Sequence, residues 1–243
     1  MNRTAAYQLT IAIPVFNEEG NLRALEDALA DYLPKCLMKA CVLFVNDCST
    51  DSSLDMIRDI CARRSDFFYI SHTRRLGCSG AMKTAIDAIE SEYMAYTDAD
   101  LQTVPEEFNL MLPYAADYPL VAGVRSSRED GWRKKLQSRI GNGFRRMMTG
   151  DGARDSVCPM KVIRMEYARR LPMFNGMHRF LPALVMLQEG GCYKEVMVTH
   201  RSRTAGKSKF NMWNRLRGFT DCFIYRWMRR NWVTYKRGEN NLE

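Results

Sequence analysis

Short apolar runs alternate with segments of helical spacing through the first half of the chain, and that alternation limits the fold more than any other feature. Residues 9–15, 41–45, 67–70, 92–97 and 120–124 read as strands, each apolar and bounded by polar or turn-forming residues. Between them, Leu22, Leu25, Leu29 and Leu33 recur at helical spacing. Leu54, Ile57, Ile60 and Cys61 mark a second helix, and Ala81, Ala85, Ile86 and Ile89 a third. Strands apolar on both faces and separated by helices imply parallel βαβ units, so the expected class is α/β, a mostly parallel Rossmann-like sheet flanked by helices. Pro14 suits the end of its strand, because it has no N–H for a central ladder. Pro105 with Glu106 and Glu107 looks like a helix start, residues 180–187 read as a helix, 193–198 as a strand, and 154–161 as an irregular loop.

In a sheet of this kind ligands collect outside the carboxyl ends of the strands. Three such ends carry acids or amides: Asn17 and Glu18, Asn46 and Asp47, Asp98 and Asp100. Asp98 and Asp100 lie two apart, on one face of extended chain, and two like charges placed together call for a hard divalent cation. Oxygen ligands of this type suit Mg²⁺ or Mn²⁺, which take the rest of their shell from water and substrate phosphates. An isolated Asp-X-Asp recurs by accident, and the bland alternative is a pair of solvated acids in a turn. Asp47 has its own bland alternative as a helix cap.

The second half is basic. Lys and Arg number 36 against 28 Asp and Glu, a net charge of +8, which favours anionic partners. Trp132 to Lys135, Arg139, Arg145, Arg146 and a cationic loop from His200 to Lys209 carry much of it. The chain closes on a helix in which Trp213, Leu216, Phe223, Ile224, Trp227 and Met228 form a stripe among five arginines, with Asp221 its one acid. A basic, tryptophan-bearing amphipathic helix fits a membrane surface, while periodicity alone equally allows a helix packed on the core. No run of about 18 apolar residues appears, so no span is expected, and the first residues lack an apolar signal core, so export is not expected. The eight cysteines have no Cys-X-X-Cys pair and read as reduced thiols, mostly small core residues. With three histidines, a zinc site is not expected, and His178 reads as structural.

The ordered series Ile13-Pro14-Val15-Phe16-Asn17-Glu18, Val45-Asn46-Asp47-Cys48-Ser49-Thr50-Asp51 and Asp98-Ala99-Asp100-Leu101-Gln102 resembles the signature of family-2 glycosyltransferases with the GT-A fold. Pro105-Glu106, Gly123-Val124-Arg125 and Gly206-Lys207-Ser208-Lys209 narrow the resemblance to the polyprenol-phosphate branch. It implies that Pro14, Phe16, Glu18 and Asp47 line a nucleotide pocket, with Asp47 accepting from the base. Asp98 would face the nucleoside and share the metal with Asp100, Gln102 would lie beside the metal shell, and Arg125, Arg139, Arg201 and Lys207 would meet phosphates. Asp155 would stand on the acceptor side as a base or metal neighbour. Two positions depart from the pattern. Asn46 replaces the first acid of the usual pair, and Asp155 is followed by Pro159-Met160-Lys161 where the family often has Gly-Phe-Arg, so a point charge replaces a fork.

The implied enzyme is a metal-dependent, inverting glycosyltransferase moving sugar from a nucleotide sugar, with UDP as the expected carrier, to a polyprenyl phosphate, in the service of cell-envelope glycan. Its expected divisions are 1–210 for the transferase, split into a donor half (1–125) and an acceptor half (126–210), and 211–243 for a membrane-surface helix and tail. The expected place is the cytoplasmic face of the inner membrane, with no nucleic acid partner and with a homo-oligomer left open. The rival reading is a family-2 enzyme acting on polysaccharide or protein, which has no need of the basic loop and interfacial helix.

Overall fold

The computed structural model of the chain describes residues 2–126, 141, 143–201 and 212–233. Seven strands, β1 (Leu9–Val15), β2 (Ala40–Asn46), β3 (Phe67–Ser71), β4 (Tyr93–Tyr96), β5 (Leu120–Arg125), β6 (Lys161–Arg164) and β7 (Tyr193–Val198), form one sheet in the order β3-β2-β1-β4-β6-β5-β7. Every pairing is parallel except those of β6, which runs against both β4 and β5. The expected mostly parallel α/β sheet is what the chain forms. Pro14 falls in β1 past Ala12, the last residue paired with β4, so its missing N–H interrupts no ladder on that side.

The helices are α1 (Glu19–Tyr32), α2 (Ser53–Arg63), α3 (Gly77–Ala88), α4 (Phe108–Met111), α5 (residues 143–149), α6 (Met165–Ala168), α7 (Leu181–Met186) and α8 (Met212–Asn231). Alternation along β1 and β2 divides the core. Leu9, Ile11, Ile13, Val42 and Phe44 pack with Leu22, Leu25 and Leu29 of α1 and Ile57 and Ile60 of α2. Ala12, Leu43 and Val45 meet Ala81, Met82 and Ala85 of α3, and on the same side lie Leu184 of α7 and Tyr225 of α8. Full burial of each such aliphatic side chain stabilises by about 1.5–3 kcal/mol, which is why these runs were readable as two-sided strands.

Three expectations need correction. Residues 154–161 are not loop throughout, since Lys161 opens β6, pairing with Tyr96 on one side and Ala122 on the other. The α8 stripe also divides: Met228 is buried, with Cys222 and Tyr225 on its side, while Phe223, Ile224 and Trp227 are exposed with Phe219, Arg226, Arg229 and Arg230, and the Trp213 and Leu216 side chains lie outside the description. Among the described residues no helix is long and apolar enough to cross a membrane. All eight cysteines are free thiols, but only Cys41, Cys158 and Cys222 are buried, so most are not core residues as expected.

Candidate active site

Because β6 runs opposite to its neighbours, its first residue lies at the same edge as the last residues of β1, β2, β4, β5 and β7. That edge therefore gathers Phe16 and Glu18, Asp47, Asp98 to Gln102, Arg125, Lys161 and Arg201. Among the described residues, the three non-glycine ones with left-handed backbone, Asn17 (φ 52°), Cys48 (φ 61°) and Leu101 (φ 56°), follow β1, β2 and β4 here. Such conformations cost about 1–3 kcal/mol each and persist where the surroundings impose them, commonly at functional sites.

Leu101 bends the chain so that Gln102 N–H donates to Asp100 Oδ1 at 3.3 Å. The Asp100 side chain lies in a residue only 6% exposed. Gln102 in turn fastens the end of β7: its carbonyl accepts from Arg201 N–H at 2.8 Å, and its Nε2 donates to the Arg201 carbonyl at 3.2 Å and to His200 Nε2 at 3.4 Å. His200 thus joins the Asp98–Gln102 turn. Only its residue type signalled this in the sequence, since its partner lies 98 positions away.

Asp98, Asp100 and the Gln102 amide fit a hard, oxygen-preferring divalent cation by donor chemistry. Among the described residues no group of three or more His, Cys, Asp and Glu gathers as a ready metal cage. A few carboxylates completed by substrate phosphates are what Mg²⁺-type sites use.

Asp47 is 4% exposed and heavily engaged. Its Oδ1 meets His72 Nδ1 at 2.9 Å and accepts from Leu76 N–H at 2.7 Å, and Oδ2 accepts from Gly77 N–H at 2.8 Å. It therefore caps α3, the third helix, rather than α2, which follows it in sequence. His72 continues the chain through Nε2 to Thr84 Oγ1 at 2.8 Å. A carboxylate offers about four acceptor directions, so one remains for a base N–H. Beside it, the Arg75 guanidinium lies over the Phe16 ring at 3.8 Å. Glu18 accepts from Asn21 Nδ2 at 2.7 Å, and Pro14 is half-buried in β1.

On the other flank, Arg125 grips Asp155 as a fork, Nε to Oδ2 at 2.6 Å and Nη2 to Oδ1 at 2.8 Å. Burial works against the Arg125 cation, but the Asp155 carboxylate outweighs it and holds its pKa above the ordinary value. Lys161 is buried beneath them, donating to the Cys158 carbonyl, and burial lowers its pKa. The charge of Asp98 is felt by both Arg125 and Lys161, which ties the two flanks into one field. Arg139 and Lys207, the other expected phosphate contacts, lie outside the described residues.

One cluster was not foreseen as part of the site wall. Ser79, in the first turn of α3, accepts from Gly176 N–H at 3.0 Å and lies 2.6 Å from His178 Nδ1. With Ser79 Oγ accepting from both Gly176 N–H and His178 N–H, its own proton is the one left to bridge to Nδ1 of a neutral ring. Burial first, then the Arg179 and Lys161 charges, push the His178 pKa down to about 3 from its ordinary 6.5. Between those values an unfolded chain takes up a proton that the folded one refuses. Stability is then fully present above pH 6.5 and falls as pH drops toward 3. Urea titrations of wild type across that window are expected to show a slope of up to about 1.4 kcal/mol per pH unit that His178→Gln removes. Equal slopes in the two proteins would contradict the buried neutral histidine.

Residues 10–171 match the family model described as glycosyl transferase family 2. The chain belongs to that family. Among curated family members, the dodecaprenyl-phosphate galacturonate synthase of Rhizobium johnstonii is 29% identical over 210 residues, covering 84% of the chain and 62% of that protein. The undecaprenyl-phosphate 4-deoxy-4-formamido-L-arabinose transferase of Aeromonas hydrophila is 27% identical over 214 residues, covering 87% and 65%. The chain thus spans less than two thirds of the length of these relatives. Among solved structures, glucosyl-3-phosphoglycerate synthase from Mycobacterium tuberculosis, in complex with Mn²⁺ and UDP-glucose, superposes with a TM-score of 0.68 at 13% identity over 92% of the chain and 80% of that one. A mannosyltransferase from Pyrobaculum calidifontis in complex with GDP-mannose and Mn²⁺ gives 0.63 at 19% identity over 90% and 63%. These likenesses establish the glycosyltransferase fold for this family-2 chain.

Proposed function

We propose that this family-2 chain transfers a sugar from a nucleotide sugar, with UDP as carrier, to a polyprenyl phosphate, inverting the anomeric carbon. The observation that carries the reading is the convergence on one sheet edge of the Asp98–Gln102 turn, fastened to Arg201, with the Arg125–Asp155 fork. The names of the curated relatives support the acceptor class, and the expected carrier is UDP rather than GDP.

Asp98 and Asp100, with Gln102 beside them, would hold Mg²⁺ or Mn²⁺. When bound, that ion supplies Lewis-acid stabilisation to the departing diphosphate. Phe16, under its Arg75 lid, and Asp47 with Glu18 and Pro14 form the nucleoside end. In the transfer, a lipid phosphate oxygen forms the new bond to the anomeric carbon while the bond from that carbon to the β-phosphate oxygen breaks. The electron pair leaves with the nucleoside diphosphate. A phosphate monoester, with a second pKa of about 6, is already largely dianionic at neutral pH, so the attack needs no proton acceptor. Asp155 spends both oxygens on Arg125, and its part is to orient that cation, which together with Arg201 and Lys207 offsets the repulsion between two anions.

Residues 1–125 would serve the donor, 126–210 the acceptor, and 211–243 a membrane surface. The outward aromatic residues of α8 and its arginines suit the interface of an anionic leaflet, which supports a peripheral position on the cytoplasmic face of the inner membrane. The test is a panel of UDP- and GDP-sugars offered with a short-chain polyprenyl phosphate and, separately, with free sugars and polysaccharide. Expected is lipid-phosphate product of inverted anomeric configuration, from a UDP-sugar. Retention of configuration would overturn the single displacement. Product on the saccharides alone would favour the non-lipid reading.

A further inference from the structure

We infer that Arg179 is the headgroup anchor for the acceptor, binding the phosphate of a prenyl phosphate whose chain then runs along the outer face of α8. The inference rests on the proposed function and adds to it a residue outside every motif of the resemblance. Arg179 stands in a turn held from two sides. On one side Ser79 of α3 takes Gly176 N–H and pairs with His178, fixing the turn to the helix that Asp47 caps. On the other, Gly176, with φ of 98°, lies so close to Asp221 that an added Cβ would meet Oδ2 at 2.4 Å. The guanidinium is thereby presented without freedom to wander.

Its own bonding is slight for so confined a cation. The side chain is 19% exposed, and Nη1 makes a single contact of 3.2 Å to Asp221 Oδ2. A guanidinium carries five N–H donors in a planar fork suited to a phosphate, and this one bond uses one of them. The position fits an acceptor. Gly77, whose N–H Asp47 takes, and Ser79, which holds Gly176 and His178, share the first turn of α3, so the turn carrying Arg179 stands beside the nucleoside-end acid.

The tail has a path from there. Asp221 falls in α8 between Phe219 and Phe223, which are 42% and 60% exposed and flank Phe144 of α5 at ring separations of 5.1 and 6.1 Å. A guanidinium beside an aromatic row suits a phosphate joined directly to a long apolar chain. An isolated phosphate would need the cation but not the row.

The test is calorimetric titration of farnesyl phosphate, farnesol and inorganic phosphate into wild type, Arg179→Met and Asp221→Asn, each held with Mn²⁺ and UDP and checked for folding by circular dichroism. Expected is farnesyl phosphate binding weakened about 10- to 100-fold by Arg179→Met, with UDP affinity unchanged. Asp221→Asn, which keeps the cation but loosens its tie to α8, is expected to bind farnesyl phosphate as tightly as wild type or more so. Equal losses in both variants would make Arg179 a structural tie, and no loss in Arg179→Met would remove it from the site; either overturns the inference. Inorganic phosphate binding as tightly as farnesyl phosphate would overturn the lipid path. Farnesyl phosphate binding that depends on Arg179, in a protein that turns over only soluble acceptors, would defeat the proposed function while leaving the anion site standing.

Discussion

Asp100→Ala is expected to lower kcat/KM for sugar transfer by about 10³-fold at saturating Mn²⁺, the kinetic equivalent of roughly 4 kcal/mol of leaving-group stabilisation. The reasoning is local. Asp100 sits behind the left-handed Leu101, largely buried, with its carboxylate turned back onto Gln102 N–H. A carboxylate at this strand end is a hard oxygen donor of the kind a divalent cation takes together with substrate phosphates. Asp100→Asn separates charge from shape, because the amide oxygen still accepts from Gln102. If the charge matters, the asparagine variant loses nearly as much activity as the alanine one and melts like wild type. Wild-type turnover in Asp100→Asn would reduce the residue to a turn cap.

Arg145→Met is expected to cost about 3–5 kcal/mol in urea denaturation, the usual effect of stranding one member of a buried ion pair. The Asp151 side chain is fully buried, and Arg145 Nη1 donates to both its oxygens, at 2.8 and 2.6 Å. Arg145 Nη2 also holds the Ala153 carbonyl, and the Tyr193 hydroxyl donates to the Asp151 carbonyl at 2.6 Å. This knot anchors the start of the segment that presents Asp155 to Arg125, so activity should fall with stability. Arg145→Met combined with Asp151→Asn removes the stranded charge and should recover a good part of the loss. A single variant within about 1 kcal/mol of wild type would show that water reaches Asp151.

The strands readable from sequence are short runs of β-favouring residues closed by turn-forming ones, whether buried on both faces like β1 and β2 or only partly buried like β7. β1 and β7 have the expected bounds, and β2 and β4 differ by a residue or so at their ends, because apolar alternation and flanking turns suffice there. β6 was hidden because Pro159 and Lys161 read as loop, and only pairing to β4 and β5 makes residues 161–164 a strand. That strand brings Lys161 to the site edge, a placement no local pattern carries. The acids at the strand ends were legible because a parallel sheet puts those ends together. Their partners were not: Asp47 is bonded to residues 25 to 30 positions on, and Gln102 to residues 98 and 99 positions on. Periodicity in α8 likewise marked an apolar set, but packing on α7 and the sheet decided that Tyr225 and Met228 turn inward while Phe223 and Trp227 face out.

The central claim is that acids of the β4 turn bind a cation together with the donor's diphosphate. Calorimetric titration of UDP into the wild-type protein, with Mn²⁺ and then with EDTA, tests it without any acceptor. Mn²⁺ should tighten UDP binding by about 10-fold or more in wild type, with the reciprocal gain in Mn²⁺ affinity that linkage requires, and Asp100→Ala should abolish both gains. UDP binding of equal strength with Mn²⁺ and with EDTA would contradict the account.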